Sequence, residues 1–484
     1  MKLKDLLKDI YSFEIEEHFQ LYDIHGISCD SRDAQEGGIF VAIRGSGVDG
    51  ADFIDEAISK GAVAVAIDQN EVINSFNKNV CILKVENTRK FLAEAAGQIY
   101  NFPWEQINCF GITGTNGKTT ISYLIESILK SAQRKCGVIG TINCHYSGQV
   151  IPINNTTPSI VDICHYLTDM KIRNVRDCIM EVSSHALDQD RVLGIDFKTA
   201  IFTNLTQDHL DYHQSMESYF LAKSKLFSTL SKDSCAVINT DDVWGQKMIE
   251  RTQAKVITYG IDRQADIMAS DISLALNGSR FILKTNDVHS EFETTLIGRH
   301  NIYNILAAVA ACLNYGVSFE DIQSGIEYLN FISGRLEPII EDQNFFIFVD
   351  YAHTDDALKN VLQTLQDVKT GKLIVVFGCG GDRDKTKRIK MGAVASALSD
   401  FAIITNDNPR SENPQEIAHK ISSGFDHDRY LMILDRREAI KKAFSMAEKN
   451  DIVLIAGKGH ENYQILKHET IHFDDRQAAR ECLA

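Results

Sequence analysis

Short continuous apolar runs alternate along this chain with stretches whose apolar residues fall three and four apart. Runs of the first kind predict strands buried on both faces, and the second spacing predicts helices packed over them. Ile39-Phe40-Val41-Ala42-Ile43, Ala62-Val63-Ala64-Val65-Ala66-Ile67 and Cys81-Ile82-Leu83-Lys84-Val85 read as strands around one helix near Ile54 to Lys60, a small α/β domain. A helix near Arg89 to Tyr100 leads into a strand from Ile107 to Ile112, helical spacing follows over Ile121 to Leu129, and strand–helix alternation continues to about Ile257. That is the pattern of a parallel sheet covered by helices. Asn277-Gly278 between alternating runs predicts a hairpin, and Ile302 to Leu313 an apolar helix. Past Gly334-Arg335, the runs Phe345 to Val349, Leu373 to Phe377, Phe401 to Thr405 and Ile452 to Ala456, separated by helical segments, predict a doubly wound unit. The fold class is α/β, with domains at 1–88, 89–333 and 334–484.

Length agrees, since 484 residues exceed one core and fit about three domains. Hydrophobic residues at 44% and charged residues at 24% describe an ordinary soluble globular chain. A net charge of −16 argues against a nucleic-acid partner, so any anionic ligand must meet local positive charge. The start, Met1 to Ile10, mixes charges into an amphipathic pattern and carries no secretion signal, and no run approaches the roughly 18 apolar residues of a membrane span. The 11 cysteines, scattered and without a Cys-x-x-Cys pair, fit reduced thiols of a cytoplasmic protein and small core residues.

The first candidate site is the glycine-rich turn between the strand ending at Ile112 and the helix beginning near Lys118. In Gly114-Thr115-Asn116-Gly117-Lys118-Thr119-Thr120 the backbone N–H groups and the helix N-terminus can cradle phosphate. Lys118 supplies charge for terminal phosphates and Thr119 a hydroxyl for Mg²⁺. The strict phosphate-loop pattern asks for glycine where Ile112 stands, so Gly114 does the turning.

Groups that follow the other buried runs belong at carboxyl ends of strands, where α/β sheets bind ligands. Glu181-Val182-Ser183-Ser184-His185 follows one run, and Thr203 to His213, including His209, follows another. A carboxylate and an imidazole at neighbouring strand ends suit Mg²⁺ beside the phosphate loop; singly, they read equally well as a helix cap and a surface histidine. His209 and His213 are four apart, but no third ligand at zinc spacing accompanies them. Asn155-Thr156-Thr157-Pro158, Gln189-Asp190-Arg191, Gly378 to Asp384, Asp407-Asn408-Pro409-Arg410 and Gly457-Lys458-Gly459-His460-Glu461 are polar clusters suited to anionic or zwitterionic ligands. Arginine is the informative member, because its fork grips a carboxylate through two bonds. Asp30-Ser31-Arg32 and Arg44 to Gly50 read as turns, and Lys223 as a solvated helix lysine.

Thr113 to Thr120, Glu181 to Leu187, Gly298-Arg299-His300-Asn301-Ile302-Tyr303-Asn304, Gly334-Arg335-Leu336-Glu337 and Val349 to Thr354 together resemble the Mur ligases of peptidoglycan synthesis, over about Asp30 to Glu461. The departure at Ile112 is that family's own form of the loop. Asn155 to Pro158 and Asp407 to Arg410 resemble the members that add the third peptide residue, and the arginine-ended form those that add meso-diaminopimelate to UDP-N-acetylmuramoyl-L-alanyl-D-glutamate. The resemblance implies an N-terminal UDP-binding domain, a central P-loop-type ATPase domain and a C-terminal Rossmann-like amino-acid-binding domain, acting as a cytoplasmic monomer. It implies that Gly114 to Thr120, Asn301, Asn304, Arg335, Asp350 and His353 serve ATP. It assigns Ser31, Ser46, Gly47, Val48, Asn155, Thr156, Thr157, Ser183, Gln189 and Arg191 to the UDP-muramoyl dipeptide, and Arg383, Asp407, Asn408, Pro409, Arg410, Gly457 and Glu461 to diaminopimelate. Lys118, Glu181, His209 and Lys223 are its catalytic positions. Thr119, Glu181, His209 and Lys223 are its Mg²⁺ positions, with Lys223 carbamylated by CO₂. Folylpolyglutamate synthases share the loop, but the domain ahead of it and Asn155 to Pro158 speak against that reading.

Overall fold

The apolar runs become strands close to where the pattern sets them, in a computed structural model that describes residues 1–8, 10, 15–45, 48–71, 79–285 and 288–483. Among these, two compact units form: residues 1–259 with 307–322, and residues 260–306 with 323–484.

In the first unit, Gly26–Ser28, Gly38–Val41, Ala64–Asp68 and Cys81–Val85 make a parallel sheet in chain order. A second sheet runs Lys255–Gly260, Cys235–Asn239, Phe197–Phe202, Asn108–Thr113, Asp177–Glu181 and Cys136–Ile139, all parallel, with Cys144–Tyr146 and Gln149–Ile151 added antiparallel. The strand before the glycine-rich turn is thus central, and its register pairs Ile112 with Glu181 and Thr113 with Phe202. Residues following these strands emerge together at one edge. The two sheets share one apolar cluster, from Leu3 and Leu6 through Phe91 and Trp104 to Met180 and Phe202.

In the second unit, Ile267–Ala275, Gly278–Lys284 and His289–Thr294 pair antiparallel, and Gly278, at φ +139°, turns the expected hairpin. The helix predicted over Ile302 to Leu313 spans Arg299–Asn314, residues 299–306 counting with this unit and 307–314 with the first. The last sheet runs Glu337–Pro338, Phe346–Asp350, Ile452–Ala456, Leu373–Phe377, Phe401–Ile404 and Tyr430–Met432. Its four inner strands are buried on both faces. Phe348, Val375 and Leu454 enter one apolar cluster, while Val349, Val376 and Ile455 enter another, as period-two alternation requires. A small hairpin, Tyr463–Ile465 with Thr470–His472, covers the loops at one end.

The cysteines are free thiols, buried except for the half-buried Cys29 and Cys482. Among the described residues no helix is long and apolar enough to cross a membrane.

Candidate active site

The helix Lys118–Ser131 begins at Gly117, whose φ of +90° only glycine adopts without strain. Gly114 is constrained by space as well as by its φ of +151°, since a Cβ there would stand 1.9 Å from Thr203 Oγ1. Lys118 Nζ folds back onto the carbonyls of Gly114 (2.9 Å) and Thr115 (2.8 Å). Thr119 and Glu181, 62 positions apart, are in direct contact, the hydroxyl donating to Oε2 at 3.0 Å.

Glu181 is 1% exposed and is the hub of this site. Besides Thr119, it accepts from Thr141, the amide on Oε1 (2.9 Å) and the hydroxyl on Oε2 (2.8 Å). Thr141 Oγ1 in turn lies 3.1 Å from Thr156 Oγ1. The neighbouring Thr157 donates to the Glu181 carbonyl (2.8 Å) and accepts the amide of Ser183 (3.0 Å). Arg191 closes the network, donating to the Thr157 carbonyl (2.9 Å) and gripping Gln189 Oε1 (2.7 Å). Six residues singled out from sequence, Thr119, Thr156, Thr157, Ser183, Gln189 and Arg191, therefore converge with Glu181, and Thr141 joins them without a sequence motif of its own. Its signal is positional, because it follows the strand Cys136–Ile139 that pairs with Asp177–Glu181.

Lys223 overturns the expectation of a solvated helix lysine. It is 1% exposed, with Nζ donating to the Gly114 carbonyl (2.9 Å) and lying 4.6 Å from the centre of the Tyr219 ring. The helix Met216–Ser228 turns this face inward because Tyr219, Phe220, Leu226 and Phe227 pack there. Burial, with the Lys118 ammonium next, holds its amine well below the usual lysine range. Lys225, its neighbour, instead reaches the Leu187 carbonyl.

His209 caps the short helix Leu210–His213 in left-handed backbone, φ +53°, and the charges of Lys118 and Lys223 both act on it. Its ring is 4.8 Å from that of His185. Burial, then His209 and His213, push the pKa of His185 down to about 4, so this imidazole is neutral near pH 7. His213 Nε2 lies 2.9 Å from Ser184 Oγ, and among the described residues no group of three or more His, Cys, Asp or Glu is gathered as a metal site.

The remaining nucleotide-substrate positions stand apart from this network. Ser31 is buried and donates to Glu56 (2.7 Å), Asn155 is exposed, and Val48 is 60% exposed. Ser46 and Gly47 lie outside the described residues.

In the second unit, Asp350 accepts the amides of Leu336 (2.7 Å) and Ala352 (2.8 Å), and burial raises its pKa against the pull of Arg335. Arg335 lies 5.2 Å from the centre of the Tyr351 ring, and the His353 ring 4.6 Å from it. Asn301 and Asn304 are buried, Asn304 Nδ2 donating to Asn301 Oδ1 (2.9 Å).

The loops after Phe401–Ile404 and Ile452–Ala456 build another polar centre. Arg410 is held at φ +51°, a strain on the order of 1–3 kcal/mol, and donates to the Gly381 carbonyl (2.9 Å). Arg383 is exposed beside this loop. Asp407 is 7% exposed, and its carboxylate has no hydrogen-bonded side-chain partner among the described residues, which leaves an acidic acceptor open to a cation. Gly457 must be glycine here, since a Cβ would stand 2.6 Å from Asp407 Oδ2. Asn408 is used internally: Nδ2 donates to Glu461 Oε2 (3.0 Å), and Oδ1 accepts the amide of Ile465 (2.9 Å). Pro409 is buried at the turn.

Family models match three successive segments: the Mur ligase family catalytic domain over residues 23–100, the Mur ligase middle domain over 112–312 and the Mur ligase glutamate ligase domain over 334–459. A protein of Clostridium tetani (strain Massachusetts / E88) named UDP-N-acetylmuramoyl-L-alanyl-D-glutamate–2,6-diaminopimelate ligase is 42% identical, covering 100% of this chain and 99% of its own length. A solved structure of that name superimposes with a TM-score of 0.72 at 33% identity, over 100% of this chain and 98% of the other. MurF ligase from Thermotoga maritima, solved in complex with ADP, shares the fold with a TM-score of 0.62 at 20% identity, over 97% and 98% of the chains. With all three segments matched and a relative 42% identical over the full length, the chain belongs to the Mur ligase family.

Proposed function

We propose that this chain is an ATP-dependent ligase that joins meso-2,6-diaminopimelate to UDP-N-acetylmuramoyl-L-alanyl-D-glutamate in the cytoplasm, as a monomer with domains 1–88, 89–333 and 334–484. The observation that carries the reading is the pairing of two built centres on one chain. One is a phosphate loop whose Thr119 touches the buried Glu181; the other is a loop pair presenting Arg410, the open Asp407 carboxylate and Glu461. The first suits carboxylate activation by ATP, and the second suits an acceptor bearing both a carboxylate and an ammonium group.

The free D-glutamate carboxylate attacks the γ-phosphate of ATP to give an acyl phosphate and ADP. The diaminopimelate amine then attacks the acyl carbon, and the tetrahedral intermediate collapses with loss of phosphate. Two anions must meet in the first step, so positive charge and alignment are what the protein supplies. Lys118 neutralises terminal phosphate, while Thr156, Thr157, Ser183, Gln189 and Arg191 hold the dipeptide beside Glu181. Ser31, Ser46, Gly47, Val48 and Asn155 extend that site toward the nucleotide, and Asn301, Asn304, Arg335, Asp350 and His353 serve ATP. Hydroxyl and carboxylate oxygens meeting at Thr119 and Glu181 are the hard donors Mg²⁺ prefers; these two residues, His209 and carbamylated Lys223 would hold the ion, whose charge would offset that of the phosphates. Carbamylation requires an uncharged amine, and burial of Lys223 favours that form. Arg383 and Arg410 receive the distal carboxylate of diaminopimelate; Asp407 and Glu461 receive its ammonium.

The test is phosphate release by purified protein given ATP, Mg²⁺, the UDP-muramoyl dipeptide and one amino acid at a time. Release with meso-diaminopimelate well above that with L-lysine is expected. No release with diaminopimelate refutes the substrate reading, and release without any amino acid refutes the ligase reading.

A further inference from the structure

One buried charge has no part in the reaction just described. The side chain of Lys458 is 0% exposed, which a lysine tolerates only when paired. Its Nζ donates to Glu461 Oε2 (3.2 Å) and Asn408 Oδ1 (3.2 Å), and lies 5.5 Å from the centre of the Tyr463 ring. Asn408 Nδ2 donates to the same Glu461 oxygen (3.0 Å). Two donors from two strand-end loops therefore converge on Oε2. Oε1 has no donor among the described residues, and the Glu461 side chain is 16% exposed, so this oxygen is the outward-facing acceptor.

We propose that Lys458 is a positioning and selectivity residue: with Asn408 it pins Glu461 so that Oε1 receives the distal ammonium of a diamino dicarboxylic acid, and its charge balances that carboxylate from inside the protein. The inference rests on the assignment of this pocket to diaminopimelate. The balance has a consequence for selectivity. With Glu461 offset by Lys458, the acidic group left to meet an ammonium without a cation of its own is Asp407, and Arg410 and Arg383 stand ready for a carboxylate. A zwitterionic end satisfies both signs, whereas the plain ammonium end of lysine leaves the arginines without an anion. Without Lys458 the pocket loses a positive charge, the Glu461 carboxylate is no longer offset, and a lone ammonium is held better. Glu461 also loses one of its two anchors.

The experiment compares wild type, Lys458→Met, Glu461→Gln and the double variant, with KM and kcat measured for each substrate and for L-lysine as a competing acceptor. Lys458→Met is expected to raise KM for diaminopimelate by roughly tenfold or more. KM for ATP and for the UDP-muramoyl dipeptide should change by less than about twofold, and the preference for diaminopimelate over lysine should fall. Because Lys458 acts through Glu461, the double variant should be no worse toward diaminopimelate than the worse single variant. If Lys458→Met does not fold, Lys458→Gln, which keeps a donor without the charge, carries the same comparison. Equal losses for all three substrates, unchanged discrimination, or additive effects overturn the proposal. A wild type inactive with diaminopimelate overturns the substrate reading and this proposal together. An active wild type with an unaltered Lys458 variant overturns this proposal alone.

Discussion

Thr141 offers the sharpest probe of how the Glu181 hub works. Thr141→Val keeps the shape of the side chain and the amide donated to Oε1 at 2.9 Å, but removes the hydroxyl that reaches Oε2 at 2.8 Å and Thr156 at 3.1 Å. A hydrogen bond to a charged group contributes about 1.5–3 kcal/mol, and no cavity is left to add to that cost. Two of the three donors on Glu181 remain, so the carboxylate stays in place but loses its tie to the dipeptide loop. If that tie is tightened in the transition state, kcat/KM for the UDP-muramoyl dipeptide falls by roughly 10- to 100-fold. Steady-state phosphate release at saturating ATP measures it. Calorimetric binding of the dipeptide nucleotide without ATP gives a readout apart from turnover. Thr141→Ser retains the hydroxyl and should recover most of the loss. A valine variant with normal kcat/KM, or a serine variant equally impaired, would exclude this role for the Thr141 hydroxyl.

Arg410→Ala should raise KM for diaminopimelate by about 30-fold or more, from the roughly 2–5 kcal/mol lost when a desolvated charge pair is broken, with KM for ATP nearly unchanged; equal changes in both would remove Arg410 from selectivity. Lys223→Ala should abolish most activity, with partial recovery on adding short carboxylic acids that replace the carbamate; full activity without them contradicts that role. His460 gives a pH prediction. Burial, with Arg335 and Arg476 next, depresses its pKa to about 4 from 6.5, and its Nδ1 is buried without a partner. The unfolded chain therefore takes up this proton first: the contribution is intact above pH 6.5 and is lost as pH falls from about 6.5 to 4. Urea midpoints across that range should drop less steeply in His460→Gln than in wild type; equal slopes count against it.

Periodicity carried the strands and helices a long way. Leu373 to Phe377 and Ile452 to Ala456 are strands over the very residues the apolar runs mark, because both of their faces are covered, and Cys81 to Val85 is one with Cys81, Leu83 and Val85 buried and Lys84 exposed. The phosphate loop was legible because Gly114, Gly117 and Lys118 are local and each has a backbone or charge reason. What escaped depends on long-range register. Thr141 has no motif, and its importance arises only when the strand before it pairs with the strand ending at Glu181. Lys223 has the local pattern of a surface lysine and is buried by packing of its helix against the loop more than 100 positions earlier. Asn408 reads as a ligand within Asp407 to Arg410, yet its amide is spent on Glu461 and Ile465. Lys458, between two glycines, reads as one more polar loop residue.

Delivery of the γ-phosphate to a carboxylate leaves an isotope trace. The UDP-muramoyl dipeptide is prepared with ¹⁸O in the free D-glutamate carboxylate and incubated with the protein, ATP, Mg²⁺ and meso-diaminopimelate, and the released phosphate is analysed by mass spectrometry. An acyl phosphate requires one carboxylate oxygen to leave with the phosphate, so labelled phosphate in step with product formation is the predicted result. Unlabelled phosphate accompanying amide formation would rule out an acyl phosphate.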